Sequence, residues 1–363
     1  MKPLRWLGAL IGVVFGWLGL LQGQCVLRRL DGLSLAGRNR VAGIVLTIVL
    51  GLCGIILIAF SPLLLVFLFI LPALLPALAI LIGLGWLRKT QLEPPLAGSP
   101  AVDDPWTAEP ISFPDQLGTA TGWFLKSVHS NGATVCWVHG VGDNSQTYKW
   151  VILRALAGAG FNVLTVDLPG HGARQDRFSL PGALGTVPAA LAYLRGRPDV
   201  NPDRVGLLGV SLGGMLSIRA LAGGAQVKTA VLLQVPCELH LSQKLWWTEA
   251  LSAISLPTLN VFRRSSPRGL YRTWTPLSDF DPSLEAVINA LHPEDYIGDA
   301  LPLPLLFVYG GRDHVAPIEH GLCILEPAKQ PKSFRIVRAA SHVSLIFMQE
   351  TAGLVRDWFI NQL

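Results

Sequence analysis

Gly206-Leu-Leu-Gly-Val-Ser-Leu-Gly-Gly-Met215 is the stretch that decides how the chain is read. The apolar run Val205–Val210 reads as a buried strand, and Leu212–Leu221 as an apolar helix. Between them stands Gly209-Val-Ser-Leu-Gly213, a G-x-S-x-G in the strand-to-helix context that the pattern requires. A turn this sharp leaves no room for side chains at its flanks, which accounts for glycine at 209 and 213. It lifts the Ser211 hydroxyl above the sheet, where a carbonyl can reach it. The bland alternative is a tight turn carrying an idle serine.

A hydroxyl is a poor nucleophile near neutral pH. It needs a base, a group that orients the base, and donors for the developing oxyanion. Leu305-Leu-Phe-Val-Tyr309 runs into Gly310-Gly-Arg-Asp313, placing Asp313 just past a strand as the orienting acid. Phe334-Arg-Ile-Val337 runs into Ala339-Ala-Ser-His342, placing His342 on the next strand-to-helix loop as the base. The alternatives are a turn aspartate and a histidine that caps the last helix. The oxyanion donors are the backbone N–H of Leu212, which opens the elbow helix, and that of Val141. Val141 lies in the loop His139-Gly-Val-Gly-Asp143 after the run Ala133–Val138. All four positions fall at carboxyl ends of strands, where open α/β sheets gather their ligands.

Outward from this site, strands read at 119–125, 133–138, 161–166, 205–210, 229–235, 305–309 and 334–337. Helices read at 146–158, 182–195, 212–222, 317–326 and 344–361. The alternation predicts an α/β class with a mostly parallel sheet flanked by helices. His139-Gly140, Asp167-Leu-Pro-Gly-His-Gly172, the elbow, Gly310-Gly-Arg-Asp313 and Ser341-His342 follow one another in an order that resembles the α/β-hydrolase superfamily over residues 111–363. Gly122-Trp-Phe-Leu125 resembles its bacterial serine aminopeptidase-like and lysophospholipase-like members. The resemblance implies an α/β-hydrolase fold and the triad order Ser211, Asp313, His342. It treats the Asp167–Gly172 loop as structural, so His171 is not assigned a catalytic role. Arg174 stands where relatives often carry serine.

The chain has 363 residues, 51% of them hydrophobic, and a mean hydropathy of +0.46. Its net charge of +5 is uneven: residues 1–90 hold eight Lys/Arg and one Asp, and the remainder 21 basic and 23 acidic residues. That pattern excludes a basic nucleic-acid surface and fits charge flanking a membrane segment. Residues 41–87 carry no charge over 47 positions, enough for two transmembrane helices, 41–60 and 63–87, parted at Ser61-Pro62. Residues 6–21 form a third apolar stretch that spans, lies in the interface, or is a cleaved signal. Gly8, Gly12 and Gly16 share one of its faces, where a second helix could approach closely. Basic residues at both ends of 41–87 predict a multi-pass membrane protein with its hydrolase domain in the cytoplasm. Five prolines between 94 and 110 predict an extended linker over 91–110. Five scattered cysteines read as free thiols, not a disulfide framework.

Residues 237–303 interrupt the alternation and read as a lid insertion. Trp246 and Trp247 head an apolar stripe that either faces a substrate acyl chain or packs on the core. Neither metal-ligand spacing nor a nucleotide fingerprint occurs, so no cofactor is implied. These residues predict a membrane-anchored serine hydrolase cleaving a small-molecule or lipid ester. A thioesterase, peptidase or acyltransferase on the same triad, or a non-catalytic membrane scaffold, are the rivals. The sequence leaves the oligomeric state open.

Overall fold

A computed structural model describes residues 2–27, 40–59, 105–145, 151–174, 176–242, 244–245, 248–249, 252 and 283–363. Two compact units divide the chain. The first contains helices α1 (Lys2–Leu27) and α2 (Arg40–Ala59), which pack together. A Cβ built on Gly54 would lie 2.8 Å from the Gly12 carbonyl oxygen and 2.8 Å from the Gly16 nitrogen, so only glycine permits this approach. The glycine face expected around Gly12 and Gly16 is thus where α2 docks. Away from the contact the pair exposes apolar side chains, among them Val14, Leu20, Val41 and Ile55.

Among the described residues no helix is long and apolar enough to cross a membrane. The described helices therefore do not support the expected transmembrane spans. The one expected at 41–60 falls on α2, and the one at 63–87 lies outside the described residues.

The second unit is built on an eight-stranded sheet of order β1-β2-β4-β3-β5-β6-β7-β8. The strands are β1 (Trp106–Asp115), β2 (Gly118–Ser127), β3 (Thr134–Val138), β4 (Asn162–Val166), β5 (Val205–Val210), β6 (Thr229–Leu233), β7 (Leu305–Gly310) and β8 (Lys332–Val337). β2 pairs antiparallel with both β1 and β4; from β4 onward the neighbours are parallel. β3 to β7 are buried along their whole length, as a sheet covered on both faces demands.

Helices α3 (Ile152–Gly158) and α7 (Gln349–Gln362) cover one face, where Ile152, Leu156, Val355 and Phe359 meet Val135, Trp137, Leu208 and Val231. The other face carries α4 (Leu180–Arg195), α5 (Leu212–Ala222) and α6 (Ile318–Leu325). Short helical turns fill part of the stretch from Leu284 to Asp299.

The sheet starts earlier than the sequence predicts. β1 begins at Trp106, inside the expected linker 91–110, and pairs with β2 from Trp106↔Ser127 to Asp115↔Gly118. Pro105 and Pro110 read as linker residues, yet Pro110 and Pro114 both lie within β1; an edge strand tolerates proline because one row of its N–H groups faces solvent.

Candidate active site

Ser211 sits between β5 and α5 at φ 49° and ψ −118°, a region non-glycine residues rarely occupy. The flanking glycines are required by contact: a Cβ on Gly209 would lie 2.6 Å from Ser217 Oγ and 2.7 Å from Gly214 Cα. One on Gly213 would collide with the carbonyl oxygens of Val138 and His139. The elbow is therefore clamped against the end of β3 and cannot relax.

His342 comes from the loop after β8, where Ser341 and Ser344 exchange N–H···Oγ bonds of 2.8 and 3.3 Å and fix the turn. Its Nε2 lies 3.1 Å from Ser211 Oγ and its Nδ1 lies 2.8 Å from Asp313 Oδ2. Asp313 is buried in the turn after β7, and its other oxygen, Oδ1, accepts the N–H groups of Val315 and Ala316 at 2.9 and 2.7 Å. Three residues separated by up to 131 positions thus form one hydrogen-bonded line. Burial alone would lower the pKa of His342. The Asp313 carboxylate outweighs it, with Glu249 and Asp143 adding to the field, and the net result lies above the ordinary 6.5.

The loop that carries Val141 is held from below. Gly140 packs against Ser211, since a Cβ there would meet the Ser211 Cβ at 3.3 Å. His139 donates from Nδ1 to the Gly140 carbonyl at 2.7 Å, and its Nε2 accepts the Leu168 N–H at 3.0 Å. His171 donates from Nδ1 to the Pro169 carbonyl at 2.8 Å, and its Nε2 accepts the Gly142 N–H at 3.4 Å. Each ring is thereby fixed as one neutral tautomer. Burial pushes their pKa values down to about 4 for His139 and about 3 for His171. Asp167 ties the two loops together by accepting from the N–H groups of Ser145 and Ala173 at 2.8 and 3.1 Å. Leu212 is the first residue of α5, so its N–H has no partner within the helix.

Arg174 has a structural explanation of its own. Its guanidinium contacts Asp115 Oδ2 and Asp176 Oδ2, each at 2.6 Å, and neither the arginine nor the Asp115 side chain is exposed. It fastens edge strand β1 to the loop that ends in Gly172.

Two residues at the site have no signal in the sequence. Gln234, just past β6, donates from Nε2 to the His342 carbonyl at 2.6 Å. Glu249, in the insertion, accepts from the N–H of Val343 at 3.1 Å and from that of His314 at 3.3 Å. Trp246 and Trp247 lie outside the described residues, as does 253–282, a large part of the expected lid. Among the described residues, the groups that could share a metal are His292, Glu294 and Asp295, on one largely exposed turn. Cys53, Cys136, Cys237 and Cys323 are free thiols.

Residues 137–357, more than half of the chain, match the model of the alpha/beta hydrolase family, and the chain belongs to that family. It is 27% identical over 265 residues to the uncharacterized protein YfhR of Escherichia coli O157:H7, covering 71% of this chain and 81% of that one. It is 23% identical over 220 residues to human protein ABHD12B, covering 59% of this chain and 55% of the other. Among solved structures, the Pyrococcus furiosus esterase Pf2001 has the same fold, with a TM-score of 0.51 at 20% identity over 74% of this chain and 98% of the esterase.

Proposed function

We propose that the chain is a serine hydrolase that cleaves an ester-type carbonyl through an acyl-enzyme. The observation that carries this reading is the line from Ser211 Oγ through His342 to Asp313, at 3.1 and 2.8 Å. Ser211 Oγ attacks the carbonyl carbon while His342 Nε2 takes its proton. Asp313 holds the proton on Nδ1 and stabilises the imidazolium. The tetrahedral oxyanion is received by the N–H groups of Leu212 and Val141. Collapse breaks the C–O bond to the alcohol, which leaves with the proton carried by His342. Water, activated by the same imidazole, then attacks the acyl-serine and releases the acid. The preference for esters draws on the fold shared with the Pyrococcus furiosus esterase Pf2001.

We also propose that residues 1–90 hold this enzyme at a membrane, with its hydrolase unit in the cytoplasm and a lipid-derived ester as substrate. Support comes from the uncharged run 41–87 between basic flanks and from the apolar side chains that α1 and α2 expose around their glycine contact. A fluorophosphonate probe on detergent-solubilised protein tests the chemistry. The protein is expected to label at Ser211, and Ser211→Ala to stay unlabelled; an unlabelled parent protein sinks the hydrolase reading. Extraction of membranes at alkaline pH tests the anchor, and release of the chain into the wash would refute it.

A further inference from the structure

Among the described residues of the insertion, one carboxylate reaches the reaction centre. Glu249 is 6% exposed, and glutamate seldom lies so deep without partners. Its two oxygens take different partners: Oε1 accepts the N–H of Val343 at 3.1 Å, and Oε2 accepts that of His314 at 3.3 Å. Val343 follows His342 and His314 follows Asp313. A single side chain therefore bridges the two loops whose separation sets the 2.8 Å contact between Nδ1 and Oδ2. A bidentate carboxylate suits this work, since each oxygen satisfies one backbone donor and its charge adds to the field that raises the His342 pKa.

We infer that Glu249 is a positioning residue of the triad: it clamps the Asp313 and His342 loops in register and adds a further negative charge to those at His342. The inference rests on the serine hydrolase reading above. Three carboxylates face His342 from separate elements: Asp313 from the turn after β7, Asp143 from the loop after β3, and Glu249 from the insertion.

The rate of fluorophosphonate labelling against pH, on the full chain in detergent, separates this role from simple structural support. Glu249→Gln keeps the volume, keeps one acceptor and loses the charge. Its labelling midpoint is expected about one pH unit below that of the parent protein, because the imidazolium has lost one stabilising charge. Glu249→Asp keeps the charge but is one methylene too short to hold both loops. It is expected to keep the midpoint and to label more slowly at every pH. A residue that merely supports the fold would lower melting temperature and rate without moving the midpoint. An unchanged midpoint in Glu249→Gln therefore overturns the inference. Should that variant not fold, Glu249→Asp decides alone: a rate equal to the parent's overturns the clamp. A parent protein that does not label overturns the hydrolase reading itself, a result distinct from either of these.

Discussion

Replacing Asp313 with asparagine preserves the shape of the side chain and changes which atom faces His342. Oδ1 of Asp313 accepts two backbone N–H groups, from Val315 at 2.9 Å and Ala316 at 2.7 Å. An amide nitrogen cannot accept either, so the amide oxygen must take that place. The NH2 group then lands where Oδ2 now lies, 2.8 Å from His342 Nδ1. It donates to Nδ1 and drives the imidazole proton to Nε2. That nitrogen would then present an N–H to Ser211 Oγ at 3.1 Å, where an acceptor is needed. In a Ser-His-Asp triad the wrong tautomer costs about 10⁴-fold in kcat, or about 5.5 kcal/mol of transition-state stabilisation. Asp313→Ala imposes no tautomer and is expected to retain more activity than Asp313→Asn, although it leaves two buried N–H groups without an acceptor, at about 1–3 kcal/mol each in stability. Turnover of a p-nitrophenyl ester and the fluorophosphonate labelling rate measure the first effect, and thermal melting measures the second. An Asp313→Asn protein within about tenfold of the parent, a difference of only about 1.4 kcal/mol, would refute the reasoning.

Labelling of Ser211 should fall as pH drops through a midpoint above 6.5, because His342 must be neutral to accept a proton and its pKa is raised; a midpoint below 6.5 contradicts the electrostatics of the site. His139 and His171 have the opposite sign: their folded pKa values, about 4 and about 3, lie below the ordinary 6.5. The stability they contribute is present above 6.5 and is lost as pH falls through about 4 and 3. Melting temperature should decline over that window, and His171→Asn should make the decline shallower. Gly213→Ala forces a methyl group onto the carbonyl oxygens of Val138 and His139; a loss of about 1–3 kcal/mol in chemical denaturation is expected. Arg174→Ala strands the Asp115 carboxylate, whose side chain has no exposed surface; the expected loss is about 3–5 kcal/mol by the same measurement.

The parts of the fold written in local pattern were legible in the sequence. β5 at Val205–Val210 and α5 at Leu212–Ala222 coincide with the runs read there, because buried parallel strands are continuously apolar and a glycine-flanked elbow has few alternatives. Ser211, Asp313 and His342 announced themselves by standing at strand ends, and the structure brings the three together. β1 escaped notice because its first half, with Pro110, continues a proline-rich stretch that reads as linker, and its burial alternates irregularly, as an edge allows. Glu249 and Gln234 escaped for another reason. Their partners are backbone groups far away in sequence, and nothing in the residue type or spacing records that a glutamate will be buried. The charge of residues 1–90 pointed to a membrane, yet charge and hydropathy do not specify how α1 and α2 pack; the glycine spacing did.

The early start of β1 bears on how the hydrolase unit can be excised. A cut at residue 111, where the strand and helix alternation becomes visible, would remove Trp106, which is 2% exposed and lies beneath the Arg154 guanidinium. It would also strip half of the pairing from β2, whose outer row of N–H and C=O groups β1 now occupies from Trp106 to Asp115. An open row of that kind is a template for a second chain. A fragment beginning at 111 is therefore expected to self-associate through β2, whereas one beginning ahead of Pro105 carries its own cover. The few residues that read as linker act as the guard against aggregation.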